Sequence, residues 1–401
     1  MNNFFTNLKT KLTPVGKKLK SVKWKNYINY IGVALFTLIF MIVSLSGGLK
    51  QSTANLLEQI AISIVLAVSL SLVVGFLGEL SLGHAGFMCV GAYLGGLVAN
   101  LISDKIGNNL FAFIIAMIVG AVCAGLCGFV IGLPALRLKG DYLAITTLAF
   151  GEIIRVLFSQ SKLFGATLGL DTVSRSKKGG GLLSTTTFFI LAFLIVLLTI
   201  AIVQNLMKSK HGRAITSIRD NEIASKATGI NVTRYKLMAF IISACLAGVA
   251  GVLYSYTQSG VTAPKFDYNY SIEIRVIVVI GGMGSISGSI IAATLITILN
   301  YKLQVALSGN MSVLKNIIYA VILILIVIYN NAPALKGFRE KYNFKNLIAK
   351  IKKGKKDPSA DADDTARWDV VPTKIPMDEV LSTDMTPQSE YTPDKPSKEG
   401  K

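Results

Sequence analysis

Charged residues make up only 16% of these 401 residues, histidine occurs twice and cysteine four times. Soluble chains usually carry about 25% charged residues. Two histidines are too few for a metal-centred chemistry. Cys123 and Cys127 lie one helical turn apart without a His or carboxylate to join them. Like Cys89 and Cys245 they read as small buried residues, and they say nothing of redox compartment. No G-x-x-x-x-G-K-S/T loop is present, so any use of ATP must occur on another chain. No nucleophile–base–acid arrangement emerges either, and catalysis has no support. A cleavable leader is also missing. The basic arm before Trp24 is too long, and the first apolar run ends in Ser-Leu-Ser-Gly-Gly-Leu-Lys without a cleavage motif, so it reads as a retained anchor.

The missing charge is concentrated. Tyr30–Ser46, Leu182–Met207 and Asn316–Asn331 contain no Asp, Glu, Lys or Arg, and a helix needs about 20 such residues to cross the hydrocarbon core. The expected fold class is all-α, a polytopic transmembrane helical bundle with glycine-interrupted segments. Candidate spans are Tyr27–Ser46, Leu56–Leu77, His84–Ile102, Leu110–Leu133, Tyr142–Phe158, Leu183–Leu206, Leu237–Thr257, Ile272–Leu299 and Met311–Tyr329. Splitting Ile272–Leu299 at Gly281-Gly-Met-Gly-Ser-Ile-Ser-Gly288 raises the count to about ten membrane segments and places both termini in the cytoplasm.

That orientation follows from the positive charge. The net charge is +19, gathered in the N-terminal arm, in Lys208–Lys236 and in Lys336–Lys356. Lys and Arg resist translocation and mark cytoplasmic segments. Lys162, Arg175, Lys177 and Lys178, in a loop that must be external, oppose the rule and are outvoted. Spanning helices between the basic clusters exclude a nucleic-acid surface. The organisation expected is a basic cytoplasmic arm (1–26), a transmembrane domain (27–331) with a cytoplasmic loop at 207–236, a basic segment (332–356), and a polar tail (357–401) that cannot bury a core.

Two Gly/Ser-rich breaks interrupt apolar sequence, Gly78–Gly86 and Gly281–Gly288. Paired interruptions of this kind point to a substrate path lined by unwound backbone. Ser81, Gly83, His84 and Gly86 in the first, with Gly281, Gly282, Gly284 and Ser285 in the second, are the pathway candidates. Close helix packing through small residues is the equal alternative for these two breaks, and it is the reading for Gly120, Ala124, Gly128 and Gly132, spaced four apart on one helix. Glu152 and Arg155, three apart on one face, read as an intramembrane ion pair. Glu79 flanks the first break. Glu273 and Arg275 fall near the outer boundary, where pairing or snorkelling suffices.

The most informative stretch runs from Gly212 to Lys236. Ile215, Ile218, Glu222 and Ser225 recur at helical spacing between Gly212 and Gly229, which predicts a helix of about four turns closed by a left-handed glycine. Its narrow, alanine-rich apolar face suits a protein groove rather than a lipid surface. This block, Gly-Arg-Ala-x-x-x-Ile-Arg-x-Asn-Glu followed by Ala224, Ala227, Gly229 and Tyr235-Lys236, resembles the coupling loop of ABC importer permeases, specifically the branched-chain amino-acid permease family of the LivM kind. Leu80–Phe87, Leu136–Ala144 with Phe150–Arg155, Ile277–Gly288 and the approach through Pro264, Phe266, Ser271 and Ile272 agree. The segment Phe164–Leu170 and the long tail depart from the family pattern.

The resemblance implies a non-enzymatic permease subunit in a prokaryotic plasma membrane. It implies coupling to an ATPase through Gly212, Arg213, Ala214, Ile218, Arg219, Asn221, Glu222, Ala224 and Gly229. It further implies a second related permease, two cytoplasmic ATPases that bind ATP and magnesium, an extracellular solute-binding protein, and no cofactor on this chain. The cargo expected is a branched-chain or related amino acid. The alternatives are urea, a short amide or a nucleoside through the same machinery, or an ion-coupled carrier.

Overall fold

The computed structural model describes residues 28–45, 51–106, 109–138, 140–171, 185–258, 260–307 and 312–331. The basic arm, the segments 332–356 and 357–401, and Arg175, Lys177 and Lys178 of the loop expected to be external lie outside them. The described elements are α1 (Ile28–Leu45), α2 (Gln51–Leu70) continued by a π-helical turn (Ser71–Leu77), α3 (His84–Ile106), α4 (Asn109–Ala135), α5 (Asp141–Gln160), β1 (Leu170–Asp171), α6 (Thr185–Lys208), α7 (Lys210–Asp220), α8 (Glu222–Ala227), α9 (Val232–Thr257), β2 (Gly260–Val261), α10 (Tyr268–Gly281), α11 (Ile286–Ala306) and α12 (Ser312–Asn331). Among the described residues, seven helices are long and apolar enough to cross a membrane: α2 with its π turn, α3, α4, α5, α6, α9 and α11. The sequence-based count of about ten is therefore not reached by this criterion, which gives seven. One reason is that α10 has only 14 residues, roughly 21 Å at 1.5 Å per residue.

Capping residues set the boundaries. Asn231, Asp267 and Ser285 accept hydrogen bonds from the backbone N–H groups of Arg234, Tyr270 and Gly288 at 3.2, 3.0 and 3.1 Å, each satisfying a donor that a helix start leaves open. Gly282 and Gly284 take φ values of +91° and +83°, which lets the chain reverse between α10 and α11 within four residues. The break inferred at Gly281–Gly288 is thus a tight helical hairpin.

The centre of the bundle is built by α3, α4 and α9, whose side chains are small where they cross. A Cβ on Gly91 would lie 2.1 Å from the Gly248 carbonyl oxygen, and one on Gly248 would lie 2.6 Å from both the Ala124 Cβ and the Gly120 carbonyl oxygen. Gly128 meets Ala244 and Gly132 meets Leu237 in the same way. Glycines expected to pack α4 thus fit it against α9, because only backbones without side chains approach this closely. Around this triple the core fills with buried Tyr93, Phe113, Phe188 and Phe240. At the far end Tyr93 stacks on Phe158 at 4.8 Å, Phe164 packs edge-on against Phe158 at 4.8 Å, and β1 pairs antiparallel with β2. Leu126, Val130, Leu157, Leu194 and Leu295 point outward and are exposed, an apolar surface that water would penalise and lipid would not.

Gly91→Leu should collapse the α3–α9 crossing at a cost of at least about 3 kcal/mol, read as loss of monodisperse protein after detergent extraction. Gly32→Ala, at a position with open space around it, should leave the yield unchanged.

Candidate functional site

The loop between α6 and α9 folds as two short helices, where one of four turns was expected. Ser209 caps the first by accepting from the Gly212 N–H at 3.3 Å. Asn221 interrupts the run: it adopts extended backbone, and its side-chain oxygen accepts from the Ala224 N–H at 3.0 Å to start the second. Asparagine favours this competition over continued helix. Gly212 therefore lies inside α7, pressed against the backbone of Met207, where a Cβ would sit at 2.4 Å. Gly229 takes φ +85°, the left-handed conformation expected of it.

The apolar side of α7 faces the bundle. Ile215 and Ile218 are buried against Leu72, Leu77, Val232 and Ala239, so the face expected to enter a partner's groove anchors the loop to its own transmembrane domain. What α7–α8 offers outward is Arg213, Ala224, Ala227 and, above all, Ile223, which is 80% exposed. Reading the sequence missed Ile223, since it stands out of register with the Ile215–Ile218 stripe. The Asn221 break is the signal that changes the register.

Arg219 reaches from α7 into the transmembrane domain. Its Nη1 donates to the Gly75 carbonyl in the π turn at 3.1 Å, while Nε and Nη2 donate to Asp220 Oδ1 at 3.2 and 3.1 Å. The π turn ends at Gly78 (φ +80°), leaving the Gly75 carbonyl to a side-chain donor. Glycine is required on three sides. A Cβ on Gly75 would meet the Gly284 nitrogen at 2.6 Å, one on Gly78 would meet the Arg219 Cγ at 2.7 Å, and one on Gly284 would approach Nη1 at 3.3 Å. The two breaks, separate in sequence, therefore converge on one guanidinium.

A second tie lies beside it. Lys236, at the start of α9, forms ion pairs with Glu79 of the first break and with Glu222 of α8, the latter at 3.2 Å. Glu222 also receives Lys226 Nζ at 2.8 Å. The Lys236 side chain is only 6% exposed, and a buried ammonium is tolerable only when paired. These hydrogen bonds, from Lys226 foremost and then Lys236, hold the Glu222 carboxyl down at about 2.

Around the first break, Ser81, Gly83, His84 and Gly86 are all buried. The open donors at the start of α3 are taken up by neighbours: the Leu82 N–H donates to Thr147 Oγ1 at 3.0 Å, and the Ala85 N–H to Ser271 Oγ at 3.1 Å. His84 Nε2 lies 2.8 Å from Ser69 Oγ. Because that hydroxyl already donates to the Leu66 carbonyl, Nε2 carries the proton. Gly83 and Gly86 press on Thr147 and Gly151 of α5. On α5, Arg155 Nε pairs with Glu152 Oε2 at 2.7 Å. No cluster of three His, Cys, Asp or Glu able to hold a metal occurs among the described residues.

Residues 52–327 match the family described as branched-chain amino acid transport system, permease component. The high-affinity branched-chain amino acid transport system permease protein LivM of Salmonella typhimurium is 30% identical over 289 residues, 66% of this chain and 66% of that protein. The Escherichia coli protein of the same name is 29% identical over 367 residues, 83% of this chain and 84% of that one. A probable LivH permease of Methanocaldococcus jannaschii is 31% identical over 136 residues, 33% of this chain and 42% of its own length. No solved structure gives a significant match.

The depressed Glu222 carboxyl gives a pH prediction. Its unfolded value is near 4.3 and its folded value about 2, so its stabilisation is complete above about pH 4.3 and fades as the pH falls toward 2. The thermal stability gap between wild type and Glu222→Gln should be constant from neutral pH to about pH 5 and close below pH 3.

Proposed function

The chain belongs to the permease-component family of branched-chain amino acid transport systems, and from that premise we propose that it is the permease subunit of an ATP-driven importer of branched-chain amino acids. In this reading it works beside a second, related permease, two cytoplasmic ATPases that bind ATP and magnesium, and an external solute-binding protein. It is a multi-pass membrane protein. Counting α1, the short α10 and α12 with the seven apolar spans gives ten crossings, and in a prokaryotic plasma membrane both termini are then cytoplasmic, with α7–α8 on the cytoplasmic face.

The observation that carries the mechanism is the meeting of both glycine breaks at Arg219. An ATPase grips the outward residues of α7–α8, with Ile223 as the apolar knob and Arg213, Ala214, Asn221, Ala224 and Gly229 around it. Ile218 and Glu222 transmit the resulting displacement, the first by packing under the π turn and the second through Lys236 to Glu79. Because Arg219 holds the π turn and borders the α10–α11 hairpin, one movement of α7 acts on both breaks together. π turns adapt with small changes in hydrogen bonding, so this is where the inner end of the path opens. Ser81, Gly83, His84 and Gly86 on one side, and Gly281, Gly282, Gly284 and Ser285 on the other, form the moving boundary of that path. Glu152 and Arg155 neutralise each other on α5.

Replacing Arg219 with Ala together with Glu222→Gln should lower ATP-driven leucine uptake by the assembled transporter at least tenfold. Membrane abundance should stay at the wild-type level, and ATP hydrolysis should persist without transport. Uptake at the wild-type rate would count against the coupling role, as would labelling from outside intact cells of a cysteine placed at Thr216. Competition of leucine uptake by excess urea, acetamide or adenosine checks the cargo; displacement by any of these would replace the amino acid.

A further inference from the structure

The opposite end of α9 holds a cavity that the coupling mechanism does not use. Lys236 and Tyr254 are separated by roughly 27 Å along the helix at 1.5 Å per residue, so this cavity lies near the far side of the bundle from α7–α8. It encloses about 290 Å³ among α2, α9, α10 and α11, the lower end of the roughly 300–1,000 Å³ that small-molecule sites occupy. Its lining is polar in an otherwise apolar bundle: Gln59, Ser63, Tyr254, Lys265, Glu273 and Asn300 all contribute.

Two of these residues carry opposite charge without meeting. Glu273 Oε1 accepts from Asn300 Nδ2 at 3.0 Å and from the Tyr319 hydroxyl at 2.8 Å. Both bonds fix the carboxylate through one oxygen, and neither uses Oε2. The Lys265 ammonium sits 5.4 Å from the Tyr270 ring centroid and forms no ion pair with Glu273 or with another described carboxylate. Pairing would have been the inexpensive arrangement for charges at the edge of a membrane bundle. Here instead a carboxylate is held by two donors, an ammonium rests on an aromatic face, and both border the same cavity. Lys265, Tyr270 and Glu273 also border a wider cavity of about 620 Å³ on the α12 side, where Tyr319 covers Oε1.

We propose that this cavity binds the zwitterionic head of a free amino acid, with Glu273 receiving the α-ammonium and Lys265 the α-carboxylate. The inference rests on the reading that amino acids are the cargo. It adds a binding site within a single permease subunit, and a basis of recognition. The apolar wall is reduced to Ile62 and the faces of Tyr254, Tyr270 and Tyr301, so the cavity reads the head that all amino acids share and discriminates little among side chains.

The test is equilibrium binding of radiolabelled L-leucine to the assembled transporter, reconstituted without its solute-binding protein. Competitors are L-alanine, 4-methylpentanoate, which lacks the ammonium, and 3-methylbutylamine, which lacks the carboxylate. In the wild type alanine should displace leucine and neither analogue should. Glu273→Gln should weaken leucine binding at least tenfold and bring 4-methylpentanoate within about threefold of leucine. Lys265→Met, at an exposed position that tolerates change, should do the same for 3-methylbutylamine. A merely structural role would lower the amount of active protein and leave analogue discrimination unmoved, which would overturn the proposal. So would wild-type affinity in both variants. Should the complete wild-type transporter fail to take up leucine at all, the cargo reading falls first and the inference with it. Leucine uptake with unchanged variants sinks the inference alone.

Discussion

One guanidinium in the right place is the constraint on which the joint between the α7–α8 loop and the bundle depends. Arg219 reaches the Gly75 carbonyl only because three glycines leave room for it, at 75, 78 and 284. A side chain at any of them would push the π turn from the hairpin or lift the arginine from its acceptor. A hydrogen bond from a charged donor contributes about 1.5–3 kcal/mol, modest beside the packing of the bundle. Its importance is positional, since it ties α7 to the π turn at the point where that turn meets the α10–α11 hairpin.

The Lys236 network supplies rigidity where Arg219 supplies reach. An ammonium that is 6% exposed between two carboxylates fixes the start of α9 to both the first break and α8. Removing one partner of such a buried pair typically costs about 3–5 kcal/mol. The partly exposed Glu222 and its bond to Lys226 keep the outer end of the network in contact with solvent. The network is stiff toward the bundle and adjustable toward the loop, as the proposed coupling role requires.

The glycine triple of α3, α4 and α9 gives this arrangement something to push against. Van der Waals contact between backbones without intervening side chains is hard to deform. The π turn and the α10–α11 hairpin touch backbone to backbone only locally, at Gly75 and Gly284, and are otherwise held by caps and single hydrogen bonds. The bundle thus has an extended close-packed centre and two smaller joints, both reached from the same loop. The polar cavity at the other end of α9 lies away from these joints, so the proposed solute site and the proposed coupling loop address different parts of one helix set.

Much of this was legible in the residues. Charge-free runs determined the class of fold, because a chain cannot leave twenty apolar residues in water or bury so many charges in lipid. The glycines of α4, the hairpin at Gly281–Gly288, the Glu152–Arg155 pair and the left-handed Gly229 followed from spacing and backbone sterics, which are local. The direction of the Ile215–Ile218 face was not local. Helical spacing says that two residues share a side, but which surface covers it depends on α2 and α9, far away in sequence. The partners of Glu79, Arg219 and Glu273 were likewise beyond reach, since a charge's neighbours are set by which helices the tertiary fold brings alongside. By itself the sequence determined that the chain spans a membrane and bends at glycine. Only the folded bundle decided that both bends meet at one arginine, because that contact exists only where helices distant in the chain pack together.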